Sequence, residues 1–388
     1  MDICEKLYGT GQNHDFFGGK GCGFTAYEIA QQPDMWRKLS DMLAGNKDEI
    51  LKFRKSLPKD VRVILTGAGS SGFAGRAVAG YSAEYGGILG EAIHTPDIVS
   101  SPRTIFGNCD RPVLLVSFAR SGNSPESVGA VEYAREIVKD LYELAIVCDG
   151  TSKLAQAARS ANKGLVLVMP EGTNDKGFAM TSSVSSMIFA GLAALNADKL
   201  DELVKEIRAC ADLVDKNGAA IAASAKACAE WDAERAWYLG SGALTAIAQE
   251  AALKMMELTN GAVVASFNNA PEFRHGPKTV ISPKTLTIHL ISDCPFTAKY
   301  DMDVLNELCG ERDGNKIASL SAAKADGDWN CTYSGKGISV GMQCLLFVQI
   351  LAMYKSINIG VNTDNPSPSG LVNRVVQGVT VYPYEKRT

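Results

Sequence analysis

The sequence predicts an α/β protein with two domains, each a parallel sheet flanked by helices in three layers. The chain has 388 residues, which is too long for one ordinary hydrophobic core. Short apolar runs rich in β-branched residues alternate with helical stretches, and this alternation is typical of a parallel sheet buried on both faces. The pattern also occurs twice, because Gly67-Ala-Gly and Gly240-Ser-Gly each follow a strand-like run. We therefore infer an internal duplication.

In the first half of the chain, two segments without a predicted strand precede the first strand. Residues 1–20 have no periodic pattern and are predicted to form an arm, whereas residues 25–57 are amphipathic and predict one or two helices. A strand over 61–66 then enters a turn that ends at Gly72, and an alanine-rich helix follows over 73–85. The same order recurs as strand and helix at 113–118 and 126–139, 144–148 and 152–160, and 165–170 and 181–195.

A long charged and alanine-rich helix over 198–230 is predicted to link the two halves. The second half then repeats the pattern, with strands expected at 237–240, 286–291 and 316–320 and helices at 243–258, 300–308 and 345–356. From these elements we predict three regions. They are an N-terminal arm and helix over 1–45, a first domain over 46–205, and a second domain over 206–388 that includes a C-terminal motif.

Composition narrows the classes of partner. Hydrophobic residues make up 46% and charged residues 21%, with a net charge of −4, which argues against nucleic acid or an anionic membrane as the main partner. The ten cysteines show no CxxC spacing and no histidine in a ligand pattern, so we expect no metal site and reduced thiols in a cytoplasmic protein. The N-terminus is polar, and no run approaches about 20 uninterrupted apolar residues, so no membrane span is expected.

Two polar turns predict a phosphate site. Gly69-Ser70-Ser71-Gly72 lies between a strand and a helix, where free backbone N–H groups, the helix dipole and two hydroxyl groups favour an anion. The turn Arg120-Ser121-Gly122-Asn123-Ser124 follows the next long strand, and parallel sheets bind ligands at the carboxyl ends of their strands. Serine and asparagine are also ordinary helix caps, which is the alternative for either turn alone.

The run from Gly67 to Gly72 also matches the GxGxxG pattern of dinucleotide-binding folds. That fold requires an acidic residue at the end of the next strand. Glu91 precedes the apolar positions of that strand instead of following them, and the serines suit a compact phosphate better than a pyrophosphate. The sequence therefore favours a phosphate over a dinucleotide.

A second cluster suggests acid–base chemistry. Glu250, Lys254 and Glu257 are spaced so that they share one face of a helix that is otherwise rich in Ala, Leu and Met. The alternative is a solvated stripe of ordinary ion pairs. The loop Glu272-Phe-Arg-His275-Gly-Pro follows, and a histidine on such a loop can move a proton near neutral pH. His14, His94 and His289 are expected to be structural.

In this order, these motifs resemble tandem sugar-isomerase (SIS) domain proteins. They are similar to the isomerase half of glucosamine-6-phosphate synthase, and more closely to the AgaS family of galactosamine-6-phosphate deaminase/isomerases, also called tagatose-6-phosphate ketose/aldose isomerases. The resemblance extends over about residues 24–383 and includes three further stretches. These are Thr25-Ala-Tyr-Glu-Ile-Ala-Gln-Gln-Pro, Phe178-Ala-Met-Thr-Ser-Ser, and the stretch from Asp364 through Pro-Ser-Pro-Ser-Gly to Arg374-Val-Val-Gln377.

The resemblance implies a role for each motif. Glu257 is expected to move a proton between C1 and C2, with Lys254 beside it in the catalytic group. His275 is expected to assist ring opening as a residue donated by the neighbouring subunit, which implies a homodimer. The expected phosphate ligands are Ser70, Ser71, Ser121, Asn123 and Ser124, and the expected sugar contacts are Gly69, Arg120, Ala179, Met180, Thr181, Ser182 and Glu272.

One departure from the synthase matters for the reaction. The synthase uses a C-terminal lysine on the ketose carbonyl, and Gln377 stands at the aligned position here. The chain is also expected to lack a glutaminase domain, so the resemblance implies deamination of galactosamine 6-phosphate to tagatose 6-phosphate, with no cofactor and no metal. Plain aldose/ketose isomerisation, deamination of fructosamine or glucosamine 6-phosphate, and non-catalytic sugar-phosphate sensing stay open. Asn373 and Arg374 are candidates for either sugar contacts or dimer contacts.

Overall fold

The computed structural model describes residues 2–107, 110–376 and 378–384, and the chain divides into two compact units. The N-sheet unit comprises Lys38–Asn174, Ser183–Lys205 and Val372–Thr388. The C-sheet unit comprises Met1–Arg37, Asp175–Ser182 and Glu206–Leu371. Each unit is thus assembled from three separate segments of chain. The domain bounds at 45/46 and 205/206 stay predictions from the sequence.

The strands form two sheets of five parallel strands each. Sheet order is β2-β1-β3-β4-β5 in the N-sheet unit and β10-β9-β8-β6-β7 in the C-sheet unit. The strands are β1 (Arg62–Thr66), β2 (Gly90–Ala92), β3 (Val113–Ala119), β4 (Leu141–Val147), β5 (Gly164–Val168), β6 (Arg235–Gly240), β7 (Val264–Asn268), β8 (Thr285–Leu290), β9 (Lys316–Ser321) and β10 (Trp329–Thr332).

The α-helices are α1 (Ile3–Tyr8), α2 (His14–Gly18), α3 (Gly23–Ala30), α4 (Gln32–Gly45), α5 (Lys47–Ser56), α6 (Ser70–Glu84), α7 (Thr95–Ser100), α8 (Pro102–Phe106), α9 (Pro125–Ile137), α10 (Lys153–Ser160), α11 (Ser182–Leu195), α12 (Leu200–Ala229), α13 (Leu244–Leu258), α14 (Thr297–Gly310) and α15 (Ile338–Asn358). Short 3-10 helices span Ala197–Lys199, Pro271–Arg274 and Pro277–Val280.

The two sheets have the same topology, which confirms the predicted duplication. Reading β6 as the counterpart of β1 and β8 as the counterpart of β3 makes the two strand orders identical. Each first strand also runs into a turn with a glycine in the left-handed region, Gly69 at φ 56° and Gly242 at φ 59°. The predicted α/β class, with a parallel sheet and covering helices in each half, is confirmed as well.

Burial explains why the sheets are read so clearly from the sequence. All seven residues of β3 and all six of β8 are buried, because helices cover both faces. In the N-sheet unit, the core on one face joins β1, β3 and β4 to helices α7 to α10 through Ile64, Leu115, Ala130, Val147 and Leu154. In the C-sheet unit, α14 packs on one face through Val304, Leu305 and Leu308, together with Leu239 and Phe273.

The predicted N-terminal arm is wrong in detail, since residues 1–20 contain helices α1 and α2. Both are too short to show a period and are stabilised by their caps. Asp2 accepts a hydrogen bond from the Cys4 amide at 2.8 Å, and Asn13 accepts one from the Phe16 amide at 2.9 Å. Leu7 and Phe17 are buried, so packing fixes elements that have no periodic signal.

Helix α15 meets the length and hydropathy criteria for a membrane span, although it contains no run of about 20 uninterrupted apolar residues. It has 21 residues, and an 18-residue window within it has a mean hydropathy of 1.5, which is long and apolar enough to cross a bilayer. Its apolar window is entirely buried within the protein, and a core helix meets the same criteria. In the described part of the chain, α15 is the one helix that meets both criteria.

Candidate active site

The first predicted phosphate turn joins β1 to the N-terminus of α6. Its backbone requires glycine, because a Cβ at Gly67 would lie 2.5 Å from the Ser71 carbonyl carbon and Gly69 has φ 56°. Ser70 and Ser71 form the first turn of a 15-residue helix and are buried. Such a helix start combines backbone N–H groups, the positive end of the dipole and serine hydroxyl groups, which suits a compact anion.

The second predicted phosphate turn joins β3 to α9. Gly122 has φ 63°, and a Cβ there would lie 2.4 Å from Ser152 Oγ. Asn123 is exposed, and its side chain braces the turn. Its Oδ1 accepts from the Lys153 amide at 3.0 Å, and its Nδ2 donates to the Ser121 carbonyl at 3.0 Å. Ser124 is at the N-cap position of α9 without a side-chain capping hydrogen bond, and its Oγ lies 2.7 Å from Ser127 Oγ.

Strand pairing brings the two turns to one edge of the sheet. Strands β1 and β3 are parallel neighbours, with Thr66 opposite Ser117 near the carboxyl end of each. The turns at 67–69 and 120–124 therefore start side by side, and the placement predicted from the sequence is confirmed. That these serines bind phosphate stays a prediction. Glu91, the acidic residue of the dinucleotide alternative, lies in the middle of β2 and pairs with Arg62 at 2.9 Å.

Arg120 and Arg374 tie the C-terminal segment to the N-sheet unit. The buried Arg120 donates from Nη2 to the Arg374 carbonyl at 2.9 Å. The exposed Arg374 side chain in turn reaches Asn174 Oδ1 at 3.4 Å. Arg120 therefore positions the C-terminal segment, and its role toward a substrate stays a prediction. Gln377, at the place of the synthase lysine, lies outside the described residues.

The acid–base cluster lies on α13, and its members do share one face. Lys254 Nζ contacts Glu257 Oε2 and lies 3.4 Å from Glu250 Oε1. The exposed fractions of the side chains are 0% for Lys254, 2% for Glu250 and 26% for Glu257. This burial excludes the solvated stripe, because such a stripe would leave the lysine in water.

Burial sets the electrostatics of this cluster. Loss of water by itself lowers the pKa of Lys254, but the adjacent carboxylates of Glu250 and Glu257 outweigh it and raise the pKa above its ordinary value. Lys254 is therefore a fixed buried cation. Glu257 is the carboxylate of the cluster that solvent or a ligand can reach. A carboxylate that is held in one place and can be reached by a ligand has the geometry required of a general base.

His275 follows the 3-10 helix Pro271–Arg274 and is exposed, as the sequence predicts. The loop around it is anchored by Arg274, whose Nε lies 2.5 Å from Glu307 Oε2 and whose Nη2 lies 3.1 Å from Asp303 Oδ2. Glu272 is exposed and accepts from Asn268 Nδ2 at 2.8 Å. A rigid loop thus carries a histidine that is accessible to a ligand.

The other histidines have structural surroundings. His289 lies in β8, fully buried, and burial lowers its pKa to about 3, so it is uncharged at neutral pH. His94 packs edge-on to Phe73 with ring centroids 5.2 Å apart and fills the space beside Gly72. His14 begins α2.

The segment with the predicted sugar contacts is mostly buried. Ala179, Thr181 and Ser182 are buried, and Met180 is half-buried. Sequence reasoning missed the two acidic side chains that hold this segment, Asp175 and Glu28. Both are buried, and Glu28 belongs to the first of the three family stretches, which was the available signal.

Two further observations bear on the expected chemistry. In the part of the chain that the structure describes, no group of three or more His, Cys, Asp or Glu side chains could hold a metal ion. The nine described cysteines are all free thiols, and Cys109 lies outside the described residues.

Comparison with known proteins places these features in a family. A family model described as the SIS domain matches residues 56–197 and 231–318. The D-galactosamine-6-phosphate deaminase AgaS of Shewanella sp. (strain ANA-3) is 40% identical over 372 residues, covering 94% of this chain and 93% of the relative. The D-galactosamine-6-phosphate deaminase AgaS of Escherichia coli is 34% identical over 381 residues, covering 93% and 96%. The crystal structure of tagatose-6-phosphate ketose/aldose isomerase from Escherichia coli has a TM-score of 0.85 at 31% identity, covering 94% and 97%.

Proposed function

Since the chain belongs to the AgaS family of tandem SIS-domain proteins, we propose that it is a deaminating isomerase that converts galactosamine 6-phosphate and water to tagatose 6-phosphate and ammonia. The observation that carries the chemistry is the cluster on α13, where a fully buried lysine fixes the partly exposed carboxylate of Glu257. The relatives' names support the choice of substrate.

In this proposal the two serine turns of the N-sheet unit hold the substrate phosphate. Ser70 and Ser71 donate at the start of α6, and Ser121 and Ser124 donate from the turn before α9. Asn123 braces that second turn. Binding energy from the phosphate, which is remote from the reacting carbons, raises turnover as well as affinity when it is used to orient those carbons.

Glu257 carries out the proton transfer. It removes the C2 proton of the open-chain aldehyde and returns it to C1, while a second proton passes from the amino group to O1, which leaves an imine at C2 and a hydroxymethyl group at C1. Water adds to C2 and ammonia leaves, giving the ketose. General base catalysis of this kind supplies about a hundred- to ten-thousandfold in rate. Lys254 keeps the Glu257 carboxylate in place and next to a positive charge.

His275 supplies the step before proton transfer. It opens the sugar ring by moving a proton at the ring oxygen or the anomeric hydroxyl group. We further propose that the protein is a homodimer, in which each subunit provides His275 to the other, and that it works in the cytoplasm. Free thiols at all nine described cysteines support a reducing compartment.

An ammonia-release assay over a panel of hexosamine 6-phosphates tests the proposal. We expect galactosamine 6-phosphate to yield ammonia and tagatose 6-phosphate in equal amounts. Ammonia released only from glucosamine 6-phosphate would overturn the choice of epimer. Interconversion of aldose and ketose phosphates without ammonia would make the protein a plain isomerase, and binding of the phosphates without turnover would make it a sensor.

A further inference from the structure

Three stretches that carry the family resemblance have no role in the mechanism above, and in the C-sheet unit they meet. The first is α3 with the residues that follow it, the second lies in the segment 175–182, which includes Phe178 to Ser182 of the family stretch, and the third begins at Asp364. Thr25, Glu28 and Gln31 are spaced three apart and therefore lie along one side of the α3 region. Each of these side chains contacts one of the other two stretches.

Glu28 holds the start of the 175–182 segment through its backbone. The Glu28 carboxylate accepts from the Lys176 amide at 2.5 Å (Oε1) and from the Gly177 amide at 3.1 Å (Oε2). Its side chain is buried, so these hydrogen bonds are shielded from water. Two consecutive amides of the segment are thus fixed by one side chain from α3.

Gly177 fits closely against that carboxylate. A Cβ at Gly177 would lie 2.9 Å from Glu28 Oε2 and 3.1 Å from Thr25 Oγ1. Any larger residue would have to displace Glu28 or the segment itself. The close approach is therefore a specific fit between α3 and the segment.

Asp175 fixes the other end of the segment. It is fully buried and accepts from the Thr181 amide at 2.8 Å and the Ser182 amide at 3.1 Å. Ser182 is bound from α3 as well, because its Oγ donates to the Glu28 carbonyl at 2.6 Å and accepts from Gln31 Nε2 at 2.9 Å. Residues 176–182 are thereby tied down at both ends.

The third stretch anchors α3. Asp364 accepts from the Thr25 amide at 2.8 Å, from Thr25 Oγ1 at 2.7 Å and from the Phe24 amide at 2.9 Å. These contacts fix the N-terminal turn of α3, from which Glu28 projects one turn later. Residues far apart in the sequence therefore form one continuous network.

Burial keeps Glu28, one of the acidic residues of this network, protonated at neutral pH. Burial first, and then the negative charges of Asp175 and Asp364, raise the pKa of Glu28 to about 8, although the Lys176 and Gly177 amides act in the opposite direction. At neutral pH Glu28 is therefore mainly neutral. A neutral Glu28 still offers its oxygen atoms as acceptors to the two amides, without adding a second negative charge beside Asp175.

From this geometry we propose that Glu28 is a positioning residue for the reaction, which acts by holding the segment with Ala179, Met180, Thr181 and Ser182 in the shape that contacts the sugar. This inference rests on the proposed function, because it assumes that the segment contacts the sugar of the substrate, as the family resemblance implies. Glu28 itself does not touch the substrate. It acts through the Lys176 and Gly177 amides.

Four variants test this role: Glu28→Ala, Glu28→Gln, Gly177→Ala and, as a matched control in the same unit, Glu230→Gln at the exposed residue that follows α12. We expect Glu28→Ala and Gly177→Ala to lower kcat for ammonia release about tenfold or more while KM changes by less than about threefold, since the phosphate contacts are unaltered. Glu28→Gln is neutral and keeps one acceptor oxygen, which at the Oε1 position is within reach of the Lys176 and Gly177 amides, so it should recover part of the activity at pH 7. Glu230→Gln should match the wild type.

Two readouts separate positioning from a general loss of structure. The first is hydrogen exchange of the 175–182 peptide, which should speed up about tenfold or more in Glu28→Ala and clearly less in Glu28→Gln, which keeps one acceptor oxygen. The second is the ratio of wild-type to Glu28→Gln kcat against pH. This ratio should fall as the pH rises through about 8, where Glu28 of the wild type ionises beside Asp175 and Asp364.

The outcomes decide the inference in each case. The inference is overturned if Glu28→Ala leaves both kcat and the hydrogen exchange of the 175–182 peptide unchanged. It is also overturned if kcat at pH 7 is as low in Glu28→Gln as in Glu28→Ala. If Glu28→Ala does not fold, Gly177→Ala with unchanged kcat and unchanged hydrogen exchange of the 175–182 peptide overturns the inference, because its new Cβ would lie 2.9 Å from Glu28 Oε2. If the wild type releases no ammonia from any hexosamine 6-phosphate, the proposed function fails, whereas the exchange measurement still decides what holds the segment.

Discussion

The contribution of Lys254 to stability depends on whether its side chain is exposed or buried. On a solvated helix, a lysine with a glutamate on either side contributes a few tenths of a kcal/mol per pair. In α13 the same residues are removed from water, and the lysine is fully buried. Burial makes the pairing obligatory, because an uncompensated buried charge is costly.

The first prediction concerns the base. Glu257→Gln removes the group that exchanges the C2 proton but leaves the serine turns intact. We expect exchange of that proton with solvent to fall about a hundred- to ten-thousandfold, with little change in affinity for inorganic phosphate or a non-reacting sugar phosphate. The exchange is followed by NMR in deuterated water, with Glu230→Gln as the control. Exchange at the wild-type rate would remove Glu257 from the mechanism.

The second prediction concerns the buried cation. Lys254→Met leaves the carboxylates of Glu250 and Glu257 without their partner, so we expect a loss of about 3–5 kcal/mol in the free energy of unfolding. The double variant Lys254→Met/Glu250→Gln removes one of the orphaned charges and should regain part of that loss. Urea unfolding measures both. Equal stability of the wild type and Lys254→Met would mean that the cluster is solvated after all.

The third prediction follows from the raised pKa of Glu28. The folded protein keeps the Glu28 proton up to about pH 8, whereas the unfolded chain releases it near the ordinary value of 4.5. The folded state therefore binds more protons between these values, and this residue's contribution to stability is complete below pH 4.5 and is lost as the pH rises through 8. Urea unfolding at pH 5, 6.5 and 8.5 should show a weaker loss of stability with pH in Glu28→Gln. Parallel pH curves for the two proteins would contradict the shift.

At the scale of elements, the turn between β3 and α9 is fixed by its own backbone and its neighbours. Gly122 is in the left-handed region and lies against Ser152, while Asn123 joins the turn to the start of α10. The serines of the turn are thus presented by a rigid frame. A rigid frame reduces the entropy lost when a ligand binds.

The fourth prediction tests that frame. Gly122→Ala must strain the backbone and also displace Ser152, because the new Cβ would lie 2.4 Å from Ser152 Oγ. Gly86→Ala is the matched control, with a similar φ of 70° and no atom within 4 Å of the new Cβ. We expect a higher KM for sugar phosphate and a loss of about 2–3 kcal/mol in Gly122→Ala, against about 1 kcal/mol and an unchanged KM in Gly86→Ala. Equal effects of the two variants would show that the steric fit is unimportant.

At the scale of the whole molecule, the proposed sharing of His275 makes activity depend on the pairing of subunits. In a homodimer of this kind, a subunit with His275→Ala and one with Glu257→Gln complement each other at one of the two sites. The sharing has a direct experimental signature, because neither variant is active on its own.

The fifth prediction uses that signature. Each single variant should be nearly inactive, and an equal mixture that is unfolded and refolded together should recover about a quarter of wild-type activity, since half of the dimers are mixed and each has one intact site. Light scattering or sedimentation confirms the dimer. A mixture that stays inactive although mixed dimers form would place His275 and Glu257 of one site on the same subunit.

Much of the fold could be predicted from the sequence because its signals are local. Strands that are buried on both faces read as apolar runs, and β3 and β8 were found for that reason. Glycines that must adopt positive φ mark the turns at Gly69 and Gly242. Strands β7 and β10 were missed, and β2 was considered only for the dinucleotide alternative, since all three are short, partly exposed and at the sheet edges.

The sequence by itself determined the α/β class, the duplication, the two polar turns and the shared helix face of Glu250, Lys254 and Glu257, because each depends on the order and spacing of nearby residues. Only the tertiary structure decided that Lys254 is buried and not solvated, and that α3, the 175–182 segment and Asp364 form one network. Burial and contacts between distant segments arise from packing of the whole chain, and periodicity within a segment carries no information about its partner.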